Sequence, residues 1–284
     1  MGTKLRFWGV RGSIASPGAA TAGVGGNTSC VEIRCGDTRL ILDAGTGLRG
    51  LGESLVAEGA LDATLLLSHH HWDHIQGLPF FLPLYVPSTR LALVGARTAE
   101  WSLEETFGHQ MRSPVFPVRL AEVPAQLGFR HVAPGQALRL GEAVVTVAKL
   151  NHPGGVFAYR IDHRGRSIVY ATDTEHYACV DPALRGLATG ADVLIYDAQY
   201  TPEEYRGDVG RSKVGWGHST WEAGVAVARE AGVEQLVLFH HDPQRTDAQV
   251  AAIESAARGR FGEVVAAREG MELELEDRVA SEAA

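Results

Sequence analysis

The sequence has 284 residues, with 26 Lys and Arg against 34 Asp and Glu, and its formal net charge is −8 at pH 7. Hydrophobic residues make up 45% and charged residues 21% of the chain. These are the proportions of an ordinary globular protein, and they exclude a disordered chain, a coiled coil and a collagen-like repeat. The acidic balance argues against broad binding of nucleic acid, which requires a basic surface.

Apolar, β-branched runs recur along the chain at the length of short strands. The predicted strands are residues 32–34, 40–43, 63–68, 90–94, 143–148, 157–161, 167–172, 192–197, 235–239, 263–267 and 272–276. In the last of these, Leu alternates with Glu, which indicates one face in contact with water.

Helices are fewer than strands and are clearest late in the chain. A first helix is expected after Asp43 and through residues 55–57, although three glycines weaken it. Ser219-Thr220-Trp221-Glu222 matches the S-x-x-E capping box and predicts a helix that ends at Gly232. Residues 246–249 form a second such box, before a helix that ends near residue 259.

Residues 101–131 contain three prolines and are predicted to be irregular. Two roles are open for residues 101–117. They form a lid that brings His109 or Arg112 to a substrate, or they pack on the core through Phe107, Met111 and Phe116. We favour the packing role. Strands and helices are mixed throughout, without a low-complexity linker, which predicts one α/β domain over residues 1–284.

The sequence also gives an expectation for location. The first residues lack the apolar run of a signal peptide, and no stretch approaches the roughly 18–20 apolar residues of a membrane span. The three cysteines, an odd number without metal-site spacing, indicate free thiols in a reducing compartment. We therefore expect a cytoplasmic protein with no membrane contact.

The strongest chemical signal follows the predicted strand 63–68. Four of the 12 histidines lie within residues 69–74, where the metal-capable residues are His69, His71, Asp73 and His74. Imidazole nitrogen and carboxylate oxygen bind Zn²⁺, Fe and Mn²⁺, and residues two apart in an extended segment point the same way. We expect the first two to hold one ion and the last two to turn toward a second, as in a two-metal hydrolytic site. An accidental polar loop is the disfavoured alternative, and His70 receives no role.

Ser68-His69-x-His71-x-Asp73-His74, followed by Gly77, resembles the signature of the metallo-β-lactamase-fold hydrolases. That resemblance implies a four-layer αβ/βα sandwich. It also implies a lone His, an Asp and a final His from later loops at the same sheet edge. The matching residues, each after a predicted strand, are His152, Asp173 and His240.

The implied site has one open ligand position and one supporting carboxylate. His241 competes with His240 for the final ligand position, and we prefer His240 because it comes first after the strand. Asp43-Ala44-Gly45 is similar to the family's early Asp-x-Gly turn. Asp43 is therefore expected to support the metal loop, since ligating histidines usually donate their other N–H to a carboxylate or carbonyl.

Further motifs narrow the resemblance to one branch. Residues 7–13, together with residues 26–29, are similar to the N-terminal motifs of the ribonuclease Z and phosphodiesterase branch, and Gly217-His218-Ser219-Thr220 is similar to its His-Ser-Thr loop. In that branch the histidine stabilises or protonates the group at the scissile phosphate, which implies this role for His218. The start of the helix predicted there suits an anionic phosphoryl group. The alternative is that His218 is a loop residue beside Trp216.

The resemblance implies a dinuclear phosphodiesterase. It divides the ligands between two ions: His69, His71 and His152 for one, Asp73, His74 and His240 for the other, with Asp173 as the bridge. In this scheme a water shared by the ions attacks phosphorus, Asp73 orients it or accepts its proton, and His218 assists the leaving oxygen. The expected cofactors are two divalent ions, Zn²⁺ first, with Mn²⁺ and Fe as alternatives.

The expected substrate size rests on the short segment between His152 and Asp173. Ribonuclease Z relatives carry a tRNA-gripping arm between the lone His and the bridging Asp, whereas here only residues 153–172 separate His152 from Asp173. A hairpin of the strands predicted at 157–161 and 167–172 fills this interval. We expect a small phosphodiester, with cyclic nucleotides first, rather than structured RNA, and we expect a homodimer. The alternatives are a tRNA 3′-end ribonuclease and a thioesterase or persulfide dioxygenase of the same fold.

Overall fold

Two seven-stranded sheets form the centre of the protein in a computed structural model that describes residues 2–278. The strands β1 to β14 are, in chain order, Thr3–Gly9, Cys30–Cys35, Thr38–Leu42, Asp62–Leu66, Arg90–Gly95, Gln126–His131, Ala137–Leu140, Ala143–Leu150, Val156–His163, Arg166–Ala171, Val193–Asp197, Gln235–Phe239, Val264–Ala266 and Glu272–Leu275. The helices α1 to α7 are Gly47–Glu58, Trp72–Ile75, Leu103–Gln110, Pro182–Ala188, Pro202–Arg206, Trp221–Ala231 and Asp247–Arg258.

The sheet topology brings several strand ends to one edge. The strand orders are β14-β1-β2-β3-β4-β5-β6 and β13-β12-β11-β10-β9-β8-β7. Strands β3 to β6 are parallel to one another, and so are β10 to β13. Strand β8 is antiparallel to β9, which is antiparallel to β10, so β8 ends at the same edge as β10. Loops that leave the carboxyl ends of such strands commonly form the active sites of α/β proteins.

Three apolar clusters make the sandwich. The central cluster lies between the sheets and includes Phe7, Leu42, Tyr159 and Phe239. A second cluster packs α1 and α3 on the outer face of the first sheet, and a third packs α4, α6 and α7 on the outer face of the second. The predicted αβ/βα sandwich is confirmed.

Every predicted strand is present, with its ends within two residues of the predicted ones. Strands β1, β6 and β7 were not predicted. In β1, buried Leu5 and Phe7 alternate with Lys4 and Arg6, which is the pattern of a strand with one covered face. Strand β6 is largely exposed and β7 has only four residues, so neither carries a strong apolar signal.

The prediction of an irregular segment over residues 101–131 is wrong where α3 lies. Ser102 caps this helix, because its side chain accepts a hydrogen bond from Glu105 N while the Glu105 carboxylate accepts one from Ser102 N. The prolines follow the helix and do not interrupt it. Phe107 and Met111 are buried in the outer cluster of the first sheet, as the packing alternative expected.

The predicted capping residue of α6 is also wrong by one position. Thr220 is the N-cap and its hydroxyl accepts a hydrogen bond from Ala223 N. The Ser219 hydroxyl instead bonds to the hydroxyl of Tyr196, so it is not available to the helix. The second predicted capping box, at the start of α7, is confirmed.

No helix within residues 2–278 is long and apolar enough to cross a membrane. That residues 1–284 form a single domain stays a prediction, and residues 1 and 279–284 of that range lie outside the described residues.

The fold predicts which thiols react. Cys30 and Cys35 are buried, Cys179 is exposed, and all three are free. Burial raises the pKa of Cys30 well above its ordinary value and that of Cys35 to about 12. Titration of the native protein with a disulfide reagent should therefore modify Cys179 alone, whereas the denatured chain should expose all three thiols.

The control for this prediction is Cys179→Ser, which should give no reaction in the native state. Reaction of a second thiol in the native protein would contradict the burial of β2.

Candidate metal centre

Loops at the shared sheet edge bring all the predicted ligands together. The loop after β4 carries the histidine cluster, and single ligands follow β8, β10 and β12. They form two adjoining groups, within each of which the ligand atoms lie within 4.8 Å of one another: His69, His71 and His152; and Asp73, His74, Asp173 and His240.

The carboxylate of Asp173 faces both groups. Its Oδ1 lies 3.3 Å from His74 Nε2 and 3.1 Å from His240 Nε2. Its Oδ2 lies 3.6 Å from His69 Nε2 and 3.9 Å from His152 Nε2. The residue is only 1% exposed. Each oxygen is therefore directed at a different set of imidazoles, which is the arrangement of a bridging ligand.

The ring nitrogens of two histidines show that the groups fit divalent cations. His69 Nε2 is buried and makes no hydrogen bond to any described residue. His74 Nε2 is also buried and faces carboxylate oxygens, at 3.2 Å from Asp73 Oδ2 and 3.3 Å from Asp173 Oδ1. Their opposite nitrogens are occupied, because His69 Nδ1 lies 3.0 Å from Ser68 Oγ and His74 Nδ1 lies 2.7 Å from Asp43 Oδ2. Such bonds fix the ring orientation and leave Nε2 for a metal ion. A buried polar atom without a partner is otherwise costly.

The charges of the site also call for cations. Burial alone would raise the pKa of Asp173, but His240 and His74 outweigh it and hold this pKa well below its ordinary value. The pKa of Asp73 is lowered by the same two histidines, against burial. Burial lowers the pKa of three histidines, His69, His71 and His152, so they are neutral near pH 7, the form that binds metal. Buried carboxylates need a compensating positive charge.

Asp43 supports the histidine loop, as the sequence predicted. Its Oδ1 accepts a hydrogen bond from Ser68 N at 2.7 Å. Its Oδ2 accepts from the Ser68 hydroxyl, from His74 Nδ1 and from the Tyr170 hydroxyl, at 2.8, 2.7 and 2.8 Å. This buried carboxylate therefore joins the end of β3 to the metal loop and to β10.

Backbone strain is concentrated at the site. Six non-glycine residues of the described chain have positive φ, and four of them are Ser13, Asp43, Asp173 and His240. L-residues rarely adopt this conformation, which costs on the order of 1–3 kcal/mol each and persists only where the surroundings enforce it. Strain of this kind is typical of functional sites.

The N-terminal motif positions two of the predicted ligands. Ser13 N donates a hydrogen bond of 2.7 Å to Asp73 Oδ2. Gly12 lies against the ring of His240, where a Cβ atom would come within 2.4 Å of the imidazole. Only glycine fits at this position, which explains why the motif carries it.

Two histidines adjacent to the predicted ligands point away from the cluster. His241 Nε2 donates to Ala267 O at 3.0 Å, and burial lowers the pKa of His241 to about 3. His70 is held between Thr106 and the carbonyl of Ala96. The structure therefore places His240, and not His241, in the cluster.

His218 adjoins the metal groups and has a partner that the sequence reasoning missed. His218 Nδ1 lies 2.9 Å from Asp197 Oδ2 and 3.8 Å from Asp173 Oδ2. Burial opposes the charged form, but Asp197 outweighs it and raises the pKa of His218 to about 9. Asp197 is the last residue of β11, so an acidic residue at the end of a predicted strand was the available signal.

Glu175 was also missed, and it holds the loop that precedes His218. This buried carboxylate accepts hydrogen bonds from Gly215 N at 2.7 Å, Gly217 N at 2.9 Å and the Tyr205 hydroxyl at 2.8 Å. Gly217 in turn accepts a hydrogen bond of 2.7 Å from His152 Nδ1 through its carbonyl. Nothing in the local sequence pattern marks Glu175 for this role.

Comparisons with known proteins agree with this geometry. A family profile described as a beta-lactamase superfamily domain matches residues 38–241. The chain is 29% identical to a ribonuclease Z of Methanopyrus kandleri, over 94% of this chain and 96% of that protein. The crystal structure of the metallo-beta-lactamase fold protein YhfI from Bacillus subtilis has a TM-score of 0.72 at 23% identity, covering 96% of this chain and 99% of that one. That of the short form of human tRNase Z has a TM-score of 0.68 at 18% identity, covering 97% and 100%.

The hydrogen bonds of Asp43 predict the effect of Asp43→Asn. The amide would turn a donor toward groups that are themselves donors, so the orientation of His74 should be lost. We expect metal affinity to fall about 10- to 100-fold, the usual effect of losing a residue that orients a ligand. Competition with a chromophoric chelator measures this change.

Tyr170→Phe is the matched control, because it removes one donor to Asp43 and keeps the bond to His74. It should lower metal affinity much less than Asp43→Asn does, because the bond that orients His74 is kept. Unchanged affinity in Asp43→Asn would contradict the orienting role of Asp43.

Proposed function

Because this chain belongs to the beta-lactamase superfamily, we propose that it is a dinuclear phosphodiesterase that hydrolyses a small phosphodiester, with cyclic nucleotides as the first candidates. The observation that carries the proposal is the Asp173 carboxylate, whose two oxygens face two separate groups of ligand atoms.

The proposed ligands follow these groups: His69, His71 and His152 for one ion, Asp73, His74 and His240 for the other, and Asp173 between them. We propose Zn²⁺ as the metal, with Mn²⁺ and Fe as alternatives, because imidazole and carboxylate ligands accept all three. Two such ions, when bound, supply Lewis-acid stabilisation of the phosphoryl oxygens and lower the pKa of a water.

Asp73 and His218 carry the proposed proton chemistry. Ser13 N fixes Asp73 Oδ2, which is therefore placed to orient a nucleophilic water or to accept its proton. Asp197 holds Nδ1 of His218, which leaves Nε2 to donate a proton to the leaving oxygen. The Asp197 carboxylate raises the pKa of His218 and so favours its protonated form, which this role requires.

The short segment between His152 and Asp173 supports a small substrate. Residues 156–163 and 166–171 form the antiparallel pair β9 and β10, in which His163 is paired with Arg166 across a two-residue turn. This hairpin leaves no segment there for a projecting arm.

A second candidate is a ribonuclease that processes tRNA 3′ ends, because a relative that is 29% identical along nearly its whole length is named ribonuclease Z. A panel of cyclic nucleotides and precursor tRNA separates the two. The thioesterase and persulfide dioxygenase alternatives receive no specific support. Homodimer formation and a cytoplasmic location stay predictions.

The primary test combines metal content with hydrolysis of bis(p-nitrophenyl) phosphate. The wild type should bind two ions per chain by mass spectrometry and hydrolyse the diester. Asp173→Ala should abolish turnover and release at least one ion, because it removes the group shared by both ligand sets.

Asp62→Ala is the control for this test, since Asp62 is exposed and pairs with Arg90 at the surface. It should leave both readouts unchanged. Normal activity in Asp173→Ala would contradict the dinuclear scheme.

His218→Ala tests the proposed acid separately. It should keep two ions per chain and lower kcat about 10²- to 10⁴-fold, the usual contribution of general acid–base catalysis. Asp197→Asn should also lower kcat, and the double variant should be little worse than His218→Ala, because both residues act as one unit. Loss of metal from His218→Ala would show that His218 is a ligand instead.

A further inference from the structure

A cavity opens beside the group formed by His69, His71 and His152. The proposed function assigns no part of the substrate to this cavity. Its volume is about 650 Å³, and its lining includes His69 and His71 together with Trp101, Arg97 and Lys149. This volume lies in the roughly 300–1,000 Å³ range of small-molecule sites. A substituent of a phosphodiester held at the metal groups can therefore extend directly into it.

Trp101 is a fixed aromatic surface in the wall of this cavity. Its ring stacks on His109 with centroids 4.6 Å apart and an angle of 22° between the planes. Its backbone is held by Thr98, whose Oγ1 accepts a hydrogen bond from Trp101 N at 2.8 Å and whose N donates to Trp101 O at 3.0 Å. The side chain nevertheless remains 42% exposed. Such a preorganised ring can stack a planar group without paying for its own ordering.

The charge of the cavity favours an anionic ligand. Arg97 and Lys149 are both exposed and line it, and Glu100 is the one carboxylate among its lining residues. The wall therefore has an excess of positive charge, although the whole chain has a formal charge of −8. A phosphate ester that also carries a flat ring matches both features.

We infer that this cavity binds the nucleobase of a nucleotide phosphodiester, stacked on Trp101, while the phosphate lies at the metal groups. The inference rests on the proposed function and narrows its substrate class to nucleotide diesters. Cyclic phosphates of plain sugars have no planar ring to stack and are disfavoured. Trp101 is then a specificity-determining residue, since stacking on an aromatic side chain accepts any base.

The test compares two diesters with the same leaving group, thymidine 5′-(p-nitrophenyl) phosphate and methyl p-nitrophenyl phosphate. In the Zn²⁺-loaded enzyme, Trp101→Ala should lower kcat/KM about 5- to 150-fold for the thymidine ester, mainly through KM. The methyl ester should be hydrolysed as by the wild type. Trp101→Phe should restore most of the loss because it retains an aromatic face.

Phe80→Ala is the matched control, because Phe80 is 57% exposed and does not line this cavity. It should leave the ratio of the two substrates unchanged. An equal effect of Trp101→Ala on both substrates, or no effect on either, would overturn the inference.

Calorimetric titration with thymidine 5′-phosphate separates this inference from the proposed function. If the wild type hydrolyses neither ester, the proposed function fails, but weaker nucleotide binding in Trp101→Ala would still support the base site. Equal binding by wild type and Trp101→Ala, or no binding by the wild type, would overturn it.

Discussion

The structure of the site depends on one buried carboxylate that must satisfy two groups of imidazoles. Asp173 is 1% exposed, and its two oxygens lie between 3.1 and 3.9 Å from five histidine nitrogens. A buried negative charge is stable only with compensating charge and hydrogen bonds. The histidines around Asp173 provide part of that compensation, and two cations would complete it.

Both sheets are needed to hold the ligands around that carboxylate. The histidine loop belongs to the first sheet, yet it is tied to the second through Tyr159, whose hydroxyl donates to Leu67 O at 2.6 Å. Asp43 makes a second connection of the same kind, because its carboxylate accepts a hydrogen bond from the hydroxyl of Tyr170 in β10. These two contacts fasten the histidine loop and Asp43 to the second sheet. Stability of the two-sheet core and geometry of the site are therefore coupled.

The sequence predicted the parts of the site in which metal-capable residues cluster or directly follow a strand. Four metal-capable residues within residues 69–74 mark the cluster in the sequence, and the family resemblance added His152 and His240, each of which follows a predicted strand. Asp197 and Glu175 were missed because each acts on a partner distant in the chain, which local pattern does not reveal. In the fold, the prediction missed β6 and β7 for a different reason. Strand β6 is too exposed and β7 is too short to give a periodic apolar signal.

Anomalous X-ray diffraction from crystals of the protein grown with Zn²⁺ would locate the metal ions relative to Asp173. Two anomalous peaks are expected, one on each side of the Asp173 carboxylate. One peak should adjoin His69, His71 and His152, and the other should adjoin Asp73, His74 and His240. A single peak, or two peaks that do not share Asp173, would contradict the central claim that this carboxylate bridges two metal ions.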